Sequence, residues 1–190
     1  MSLIDEQTLR HNVEDTGRRL AADPGFGVVF PAVTSALDHN VGSTVWFEQY
    51  GEEFRMTVDE SAGRGGVGAG PSPMRYLLAS LAGCLQVWCA KAAALRGKPI
   101  DALEIDVTSM LDMRGEHRVG TTPAHPQWFF VDVRLGGDIC ASAAQDVVDE
   151  ALRRCPVASL LVRAVPIHTR ISVGDVVVSG EVPAELRSLR

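Results

Sequence analysis

Four cysteines, Cys84, Cys89, Cys140 and Cys155, are the residues of this 190-residue chain best suited to covalent chemistry. A thiolate is a nucleophile, a metal ligand and a redox centre, and the surroundings of the sulfur decide which of these it becomes. None of the four forms a C-x-x-C pair, and the chain is too long for a small disulfide scaffold. Cys155 precedes Pro156, a residue favoured in the first turn of a helix. As the residue before that turn, Cys155 would set its sulfur beside unpaired N–H groups and the positive end of the helix dipole. Arg153 and Arg154 add charge in the same direction, so this thiol reads as either a reactive thiolate or a structural one. Cys84 follows Gly83 in the most apolar stretch of the chain and, on position alone, reads as an inert core thiol. Cys89 lies five residues further on, about 140° around a helix, and is expected in the core away from Cys84. Cys140 falls in a surface loop and reads as a bystander.

Other chemistries find less support. His11, His39, His117, His125 and His168 are scattered, with no cysteine at ligand spacing, so no metal site is expected. There is no G-x-S-x-G elbow and no P-loop. Gly63, Gly65 and Gly68 formally spell G-x-G-x-x-G within a glycine-rich stretch, residues 63–70. A dinucleotide loop would run straight into a helix and be followed by an acid about 20 residues on. Here Pro71-Ser72-Pro73 intervenes, position 83 is glycine and the next acid is Asp101. A flexible connector is the expectation.

The elements that must position the thiols follow from periodicity. A helix is expected from 5 to about 22, with Leu9, Val13, Thr16 and Leu20 on one face and Asp23-Pro24-Gly25 as its stop. Strands follow: a short apolar one over 28–30, then 44–47 and 54–58 joined by a hairpin turn at Tyr50-Gly51-Glu52-Glu53, with an earlier turn at 39–42. Ser72-Pro73 opens a long helix reaching about Arg96 and ending at Gly97. Met74, Leu77, Leu81, Cys84 and Trp88 share one stripe of it, with Leu78, Leu85 and Cys89 beside them. The helix is apolar nearly all round, so other elements must cover most of its sides. Strands are expected around 103–107 and 129–135, separated by a polar loop over 112–127. Ser142 and Gln145 read as a capping box opening a helix with Val148, Ala151, Leu152 and Cys155 on one face. A last strand alternates Ile167, Thr169, Ile171 and Val173, and a patternless tail follows Gly174. Runs of strands between helices argue an α+β fold.

Composition narrows the function. The net charge of −6 and an aromatic content of 6 % argue against nucleic acid and anionic membrane surfaces as partners. The fifteen uncharged residues from Tyr76 to Ala90 fall short of a membrane span and read as a buried helix. The N-terminus carries no signal-peptide pattern, and a cytoplasmic protein is expected.

The stretch Ser72-Pro73-Met74-Arg75-Tyr76-Leu77-Leu78-Ala79-Ser80-Leu81-Ala82-Gly83-Cys84, with the distant Arg154-Cys155-Pro156-Val157-Ala158, resembles the OsmC/Ohr family, the osmotically induced and organic hydroperoxide resistance proteins. The resemblance covers about residues 30–174. It implies an OsmC-like domain over 28–174, between an N-terminal helical extension (1–27) and a C-terminal tail (175–190). It further implies antiparallel sheets wrapped around long central helices in an intertwined homodimer. By the same resemblance Cys84 would be the peroxidatic thiol and Cys155 the resolving one, reducing organic hydroperoxides at the expense of an external dithiol, with no cofactor. Met74, Leu77, Leu81 and Trp88 would wall an apolar substrate pocket. Two positions depart from the family pattern. Met74 stands where the family's peroxidases carry a glutamate, and the turn at 39–42 lacks their arginine, leaving Arg55, Arg64 and Arg75 as candidates to support the thiolate. A non-catalytic relative holding a small apolar ligand at the dimer interface is the alternative, and thiol chemistry on another electrophile a further one.

Overall fold

The computed structural model describes residues 2–29, 31–163 and 167–182. The chain divides into two compact units, one of Met1–Arg18 with Leu78–Arg190 and one of Arg19–Leu77.

The smaller unit is built on an antiparallel sheet of β1 (Thr34–His39), β2 (Gly42–Gln49) and β3 (Glu52–Val58), in that order. Gln49 pairs with Glu52, so Tyr50 and Gly51 alone make the turn, both at positive φ (57° and 79°), as a two-residue hairpin loop requires. Strand β1 is one that periodicity missed, because its six residues alternate weakly and all are exposed. Residues 28–29, expected in a strand, have no regular structure, and Phe30 lies outside the described residues.

The glycine-rich stretch is a pinned loop rather than a flexible connector. Asp59 is only 1 % exposed, and its carboxylate accepts hydrogen bonds from the backbone N–H groups of Glu60 (2.8 Å), Val67 (3.1 Å) and Ala69 (2.9 Å). Those donors hold the carboxyl below its usual range. Gly66 is required where the loop closes on itself, since a Cβ there would sit 2.0 Å from the carbonyl oxygen of Glu60. The loop's N–H groups thus already hold an anion of the chain's own, which removes the nucleotide reading.

The larger unit carries a four-stranded sheet in the order β4 (Ala102–Met110), β5 (Trp128–Gly136), β6 (Ile167–Val173), β7 (Val176–Ser179). β4–β5 and β6–β7 are antiparallel, but β5–β6 is parallel. The expectation of antiparallel sheets is corrected at this one pairing. Its cause is the crossover through α4 (Ala141–Arg154) and α5 (Pro156–Leu161), long enough to return the chain in the same direction. Strand β7 occupies part of the stretch expected to be a patternless tail. The polar loop of 112–127 contains one helical turn, α3 (Met113–Glu116), capped by Asp112.

β5 is one of the two inner strands and is buried on both faces. Phe129, Val131, Val133 and Leu135 alternate with Trp128, Phe130 and Asp132, so the run is apolar almost throughout, as a doubly covered strand must be. Asp132, 1 % exposed, is paired with Arg170 of β6 and with Arg134 (3.0 Å). Arg134 in turn reaches Glu104 and Asp106 of β4, so one cation ties two strands together.

Helix α1 (Glu6–Ala22) buries no residue, although Leu9 and Val13 are half-buried. Its Arg10 donates to the carbonyl of Ala94 (3.1 Å), satisfying an acceptor at the end of the long helix α2 (Pro73–Leu95). Gly97 and Lys98 return their N–H groups to Ala94 and Ala93 and close the same terminus. By length and composition α2 could cross a membrane, but Leu81, Leu85, Cys89, Ala92, Ala93 and Ala94 are buried in the folded unit. The packed stripe is therefore Leu81–Leu85–Cys89, one position round from the expected one. Gly83 and Val87 face outward, Val87 with 51 % of its surface exposed.

Candidate functional site

Helix α4 ends where Cys155 breaks from helical geometry, and Pro156 starts α5 with Cys155 as its N-cap. Proline fixes the backbone angle of that first turn and surrenders only an N–H that would go unpaired, so the Cys-Pro step itself builds the junction. The Cys155 sulfur accepts a hydrogen bond from the backbone N–H of Ala158 (3.3 Å). It is completely buried.

From α2, Cys84 meets it. The two Sγ atoms stand 2.8 Å apart, in thiol–thiol contact, although 71 positions separate the residues in sequence. A disulfide would bring them to about 2.05 Å, a displacement of less than 1 Å that needs no unfolding. Cys84 is half-buried and so the more exposed residue of the two.

Electrostatics at Cys155 bear on the two readings that the sequence leaves open. Burial, and then the contact with Cys84, push its thiol up to about 11. The N–H groups of Ala158 and Val157 pull the other way but do not prevail. The helix-start argument identified the right donors and underestimated the cost of removing a charge from water. Arg153 and Arg154 are engaged elsewhere, both by Glu150, whose carboxyl they hold below its ordinary range.

Cys89 is 1 % exposed and lies in the core as expected; burial drives its thiol up to about 12, with a smaller contribution from Cys155. Cys140 is exposed at the N-cap of α4, its sulfur 3.3 Å from the Ser142 hydroxyl, which displaces the expected capping box by two residues. The Ser142 hydroxyl and the Ala143 N–H lower its thiol.

Of the residues expected to line a pocket, Trp88 and Cys84 lie one turn apart on α2, both half-buried, while Leu81 is wholly buried in the core. Met74 and Leu77 are half-buried on the first turns of that helix. The arginines offered as thiolate supports have their own settings: Arg55 pairs with Glu53 and Arg64 with Glu60, all four in the smaller unit, and Arg75 is exposed. The cation nearest the sulfur pair in sequence is Arg154, whose guanidinium lies 5.7 Å from the centre of the Trp88 ring. The Lys91 ammonium lies 4.9 Å from the same ring. Lys91 follows Cys84 by seven residues and Trp88 by three, so the stripe could have been extended to it from sequence. Among the described residues no group of three or more His, Cys, Asp and Glu side chains is arranged to hold a metal ion.

The family model described as OsmC-like protein matches residues 65–170, which includes both members of the sulfur pair. No curated protein matches the chain. Among solved structures, an OsmC-like protein from Mycoplasma pneumoniae aligns at 18 % identity with a TM-score of 0.64, covering 76 % of this chain and 97 % of that one. An organic hydroperoxide resistance protein OsmC from Legionella pneumophila aligns at 15 % identity and TM-score 0.56, covering 77 % and 99 %. A third likeness is to a Vibrio cholerae protein described as an organic hydroperoxide resistance protein, with captopril in one of its active sites. Identity there is 13 %, TM-score 0.55, and coverage 80 % and 97 %. At these identities the likeness is one of fold.

Proposed function

The chain belongs to the OsmC-like protein family, and from that premise we propose that it reduces organic hydroperoxides through Cys84 and Cys155. The observation that carries the reading is the 2.8 Å contact between the two sulfurs. Cys84, as thiolate, attacks the terminal oxygen of the hydroperoxide. The O–O bond breaks, the alkoxide takes a proton and leaves as the alcohol, and Cys84 becomes a sulfenic acid. Cys155 then attacks that sulfur, losing its proton to the departing hydroxide, which leaves as water while the disulfide forms. An external dithiol restores both thiols by exchange. In this scheme the two thiols divide the work by their surroundings. The half-buried sulfur meets the peroxide, and the buried one, held neutral, waits in contact for the single partner it must attack.

The apolar side chains of α2, with Trp88 beside Cys84 and Met74 and Leu77 on the preceding turns, favour a hydrocarbon-bearing peroxide over hydrogen peroxide. We propose a homodimer as the working form. The outward face of α2 at Gly83 and Val87 is apolar, and Leu37 and Phe54 of the smaller unit's sheet are exposed by 70 and 44 %. Surfaces of that kind mark contact sites. A reducing compartment, the cytoplasm, would supply the dithiol.

The test gives the purified protein cumene hydroperoxide and a dithiol, beside Cys84→Ser and Cys155→Ser variants. Turnover in the wild type, none in Cys84→Ser, and a Cys84–Cys155 disulfide in peptide maps of the oxidised protein are the expected results. Equal peroxide consumption by the wild type and Cys84→Ser would refute the scheme.

A further inference from the structure

Apart from any peroxide, the sulfur pair is a dithiol of fixed bite. The Cys84 and Cys155 Sγ atoms stand 2.8 Å apart. Cys155 is held from its other side: Pro156 fixes the helix turn that follows, and the Ala158 N–H donates to its sulfur (3.3 Å). Cys155 is completely buried, whereas Cys84 is half-buried. Among the described residues no third Cys, His, Asp or Glu joins the two in an arrangement that could hold a metal ion. The site thus offers two sulfurs, a short distance between them, and surroundings in which a charge is costly.

Those properties select among the groups that thiols bind. A zinc ion asks for four ligands, and its thiols must each give up a proton, which leaves charge where burial makes it costly. A linear two-coordinate cation would hold the sulfurs about 4.6 Å apart, twice a metal–sulfur bond of ~2.3 Å, against the close packing around Cys155. Trivalent arsenic is bent at its bonds. Two bonds of that same length meeting near a right angle span about 3.3 Å, so the sulfurs need part by only about 0.5 Å from their 2.8 Å contact.

We infer that Cys84 and Cys155 form a chelating site for trivalent arsenicals that carry one organic substituent, such as phenylarsonous acid. Such a molecule has two exchangeable hydroxyl groups, one for each thiol, where arsenous acid has three. Each thiol displaces one hydroxyl, and the thiol's proton leaves with it as water. Two As–S bonds form while two As–O and two S–H bonds break. Arsenic stays trivalent, and the product carries no charge into the buried site. Cys84, the more exposed residue, takes the first bond. The arsenic it then holds is carried to within reach of the Cys155 sulfur, which makes the second step intramolecular. The inference needs the two thiols and not the peroxidase reading.

The probe is phenylarsine oxide, which hydrates to that acid, added to the fully reduced chain in millimolar glutathione. Intact-mass spectrometry is expected to show one arsenical per chain, released by the dithiol dimercaprol. Cys84→Ser and Cys155→Ser should each hold it roughly 100-fold less tightly, because a single sulfur competes with glutathione on equal terms. Cys89→Ala and Cys140→Ser should bind as the wild type does. Sodium arsenite, with a position left for a third thiol, should be stripped by the same glutathione. The bridge also closes the chain on itself, so phenylarsine oxide should raise the melting temperature of the wild type and of neither serine variant. The same melts show that the serine variants are folded. Retention of the arsenical by either serine variant, its loss from the wild type to glutathione, or arsenite held as firmly as phenylarsine oxide would overturn the inference. Peroxide turnover by a chain that does not hold the arsenical leaves the peroxidase reading standing alone. An arsenical held without any peroxide turnover leaves the chelating site standing alone.

Discussion

Cys89 offers a quantitative test of how the core treats ionisable groups. Its thiol is buried beside the sulfur pair and shifted from 9.0 to about 12. The folded chain therefore keeps this proton at a pH where the unfolded chain has released it. The sign follows from linkage: a thiol whose folded pKa is raised costs nothing below pH 9, and stability falls as pH climbs from there toward 12. From pH 7.5 to pH 10 that loss is on the order of 1 kcal/mol for one group so shifted. Cys89→Ala removes the titration together with one buried sulfur, whose packing is worth about 1 kcal/mol. At pH 7.5 the variant should accordingly be the less stable by about 1 kcal/mol, and near pH 10 the two stability curves should meet or cross. Every other titrating side chain is common to both proteins and cancels in the difference. The assay is urea unfolding at fixed protein concentration with a phosphine reductant, compared through midpoints at a shared slope. A wild-type advantage that stays constant from pH 7.5 to 10 would refute the reasoning, because the thiol would then titrate alike in both states.

Other expectations concern the scaffold. Gly66→Ala should destabilise by about 2 kcal/mol or more in thermal melts, since its Cβ would fall 2.0 Å from the Glu60 carbonyl, a backbone atom that cannot step aside. Asp59→Asn should flatten the acid limb of the stability curve. The wild-type carboxylate, held below 3.8, contributes stability above that pH and loses it as pH falls through its own lower value. Asp132→Ala should cost about 3–5 kcal/mol in urea unfolding by leaving Arg170 without its buried partner. Leu85→Ala, at a side chain 1 % exposed in the α2 core, should cost about 2–5 kcal/mol.

The long helix and the Cys-Pro junction were legible in the sequence because their signals are local. Ser72-Pro73 and Gly97 bracket α2, and Pro156 by itself dictates that a helix restarts after Cys155. The α+β class and the pairing of β2 with β3 followed from alternation around a turn. Strand β1 was not legible, since a six-residue strand exposed throughout lacks the half-buried alternation by which strands are recognised. The parallel β5–β6 pairing depends on which strand edge the crossover returns to, which no local pattern encodes. The stripe on α2 was misread by one position because nearly every face of that helix is apolar, so hydrophobicity could not choose among them. At the site, the pairing of Cys84 with Cys155 came from family resemblance, and spacing along the chain gave no hint of it. The protonation of Cys155 stays open in the sequence for a related reason. The dipole and the N–H donors are written locally, whereas the burial that outweighs them comes from elements far away in sequence.

The contact between the sulfurs spans 71 positions of chain, and that interval contains β4, β5 and α4, the greater part of the larger unit's core. A bond at this point would close one large ring through that core. By chain-entropy reckoning such a ring is worth about 4 kcal/mol, taken from the freedom of the unfolded chain. Oxidation would then act as a clasp as well as a chemical state. A molecule still awaiting its reductant would be the more resistant to heat and proteolysis, and a population's melting curve would report how much of it had been spent.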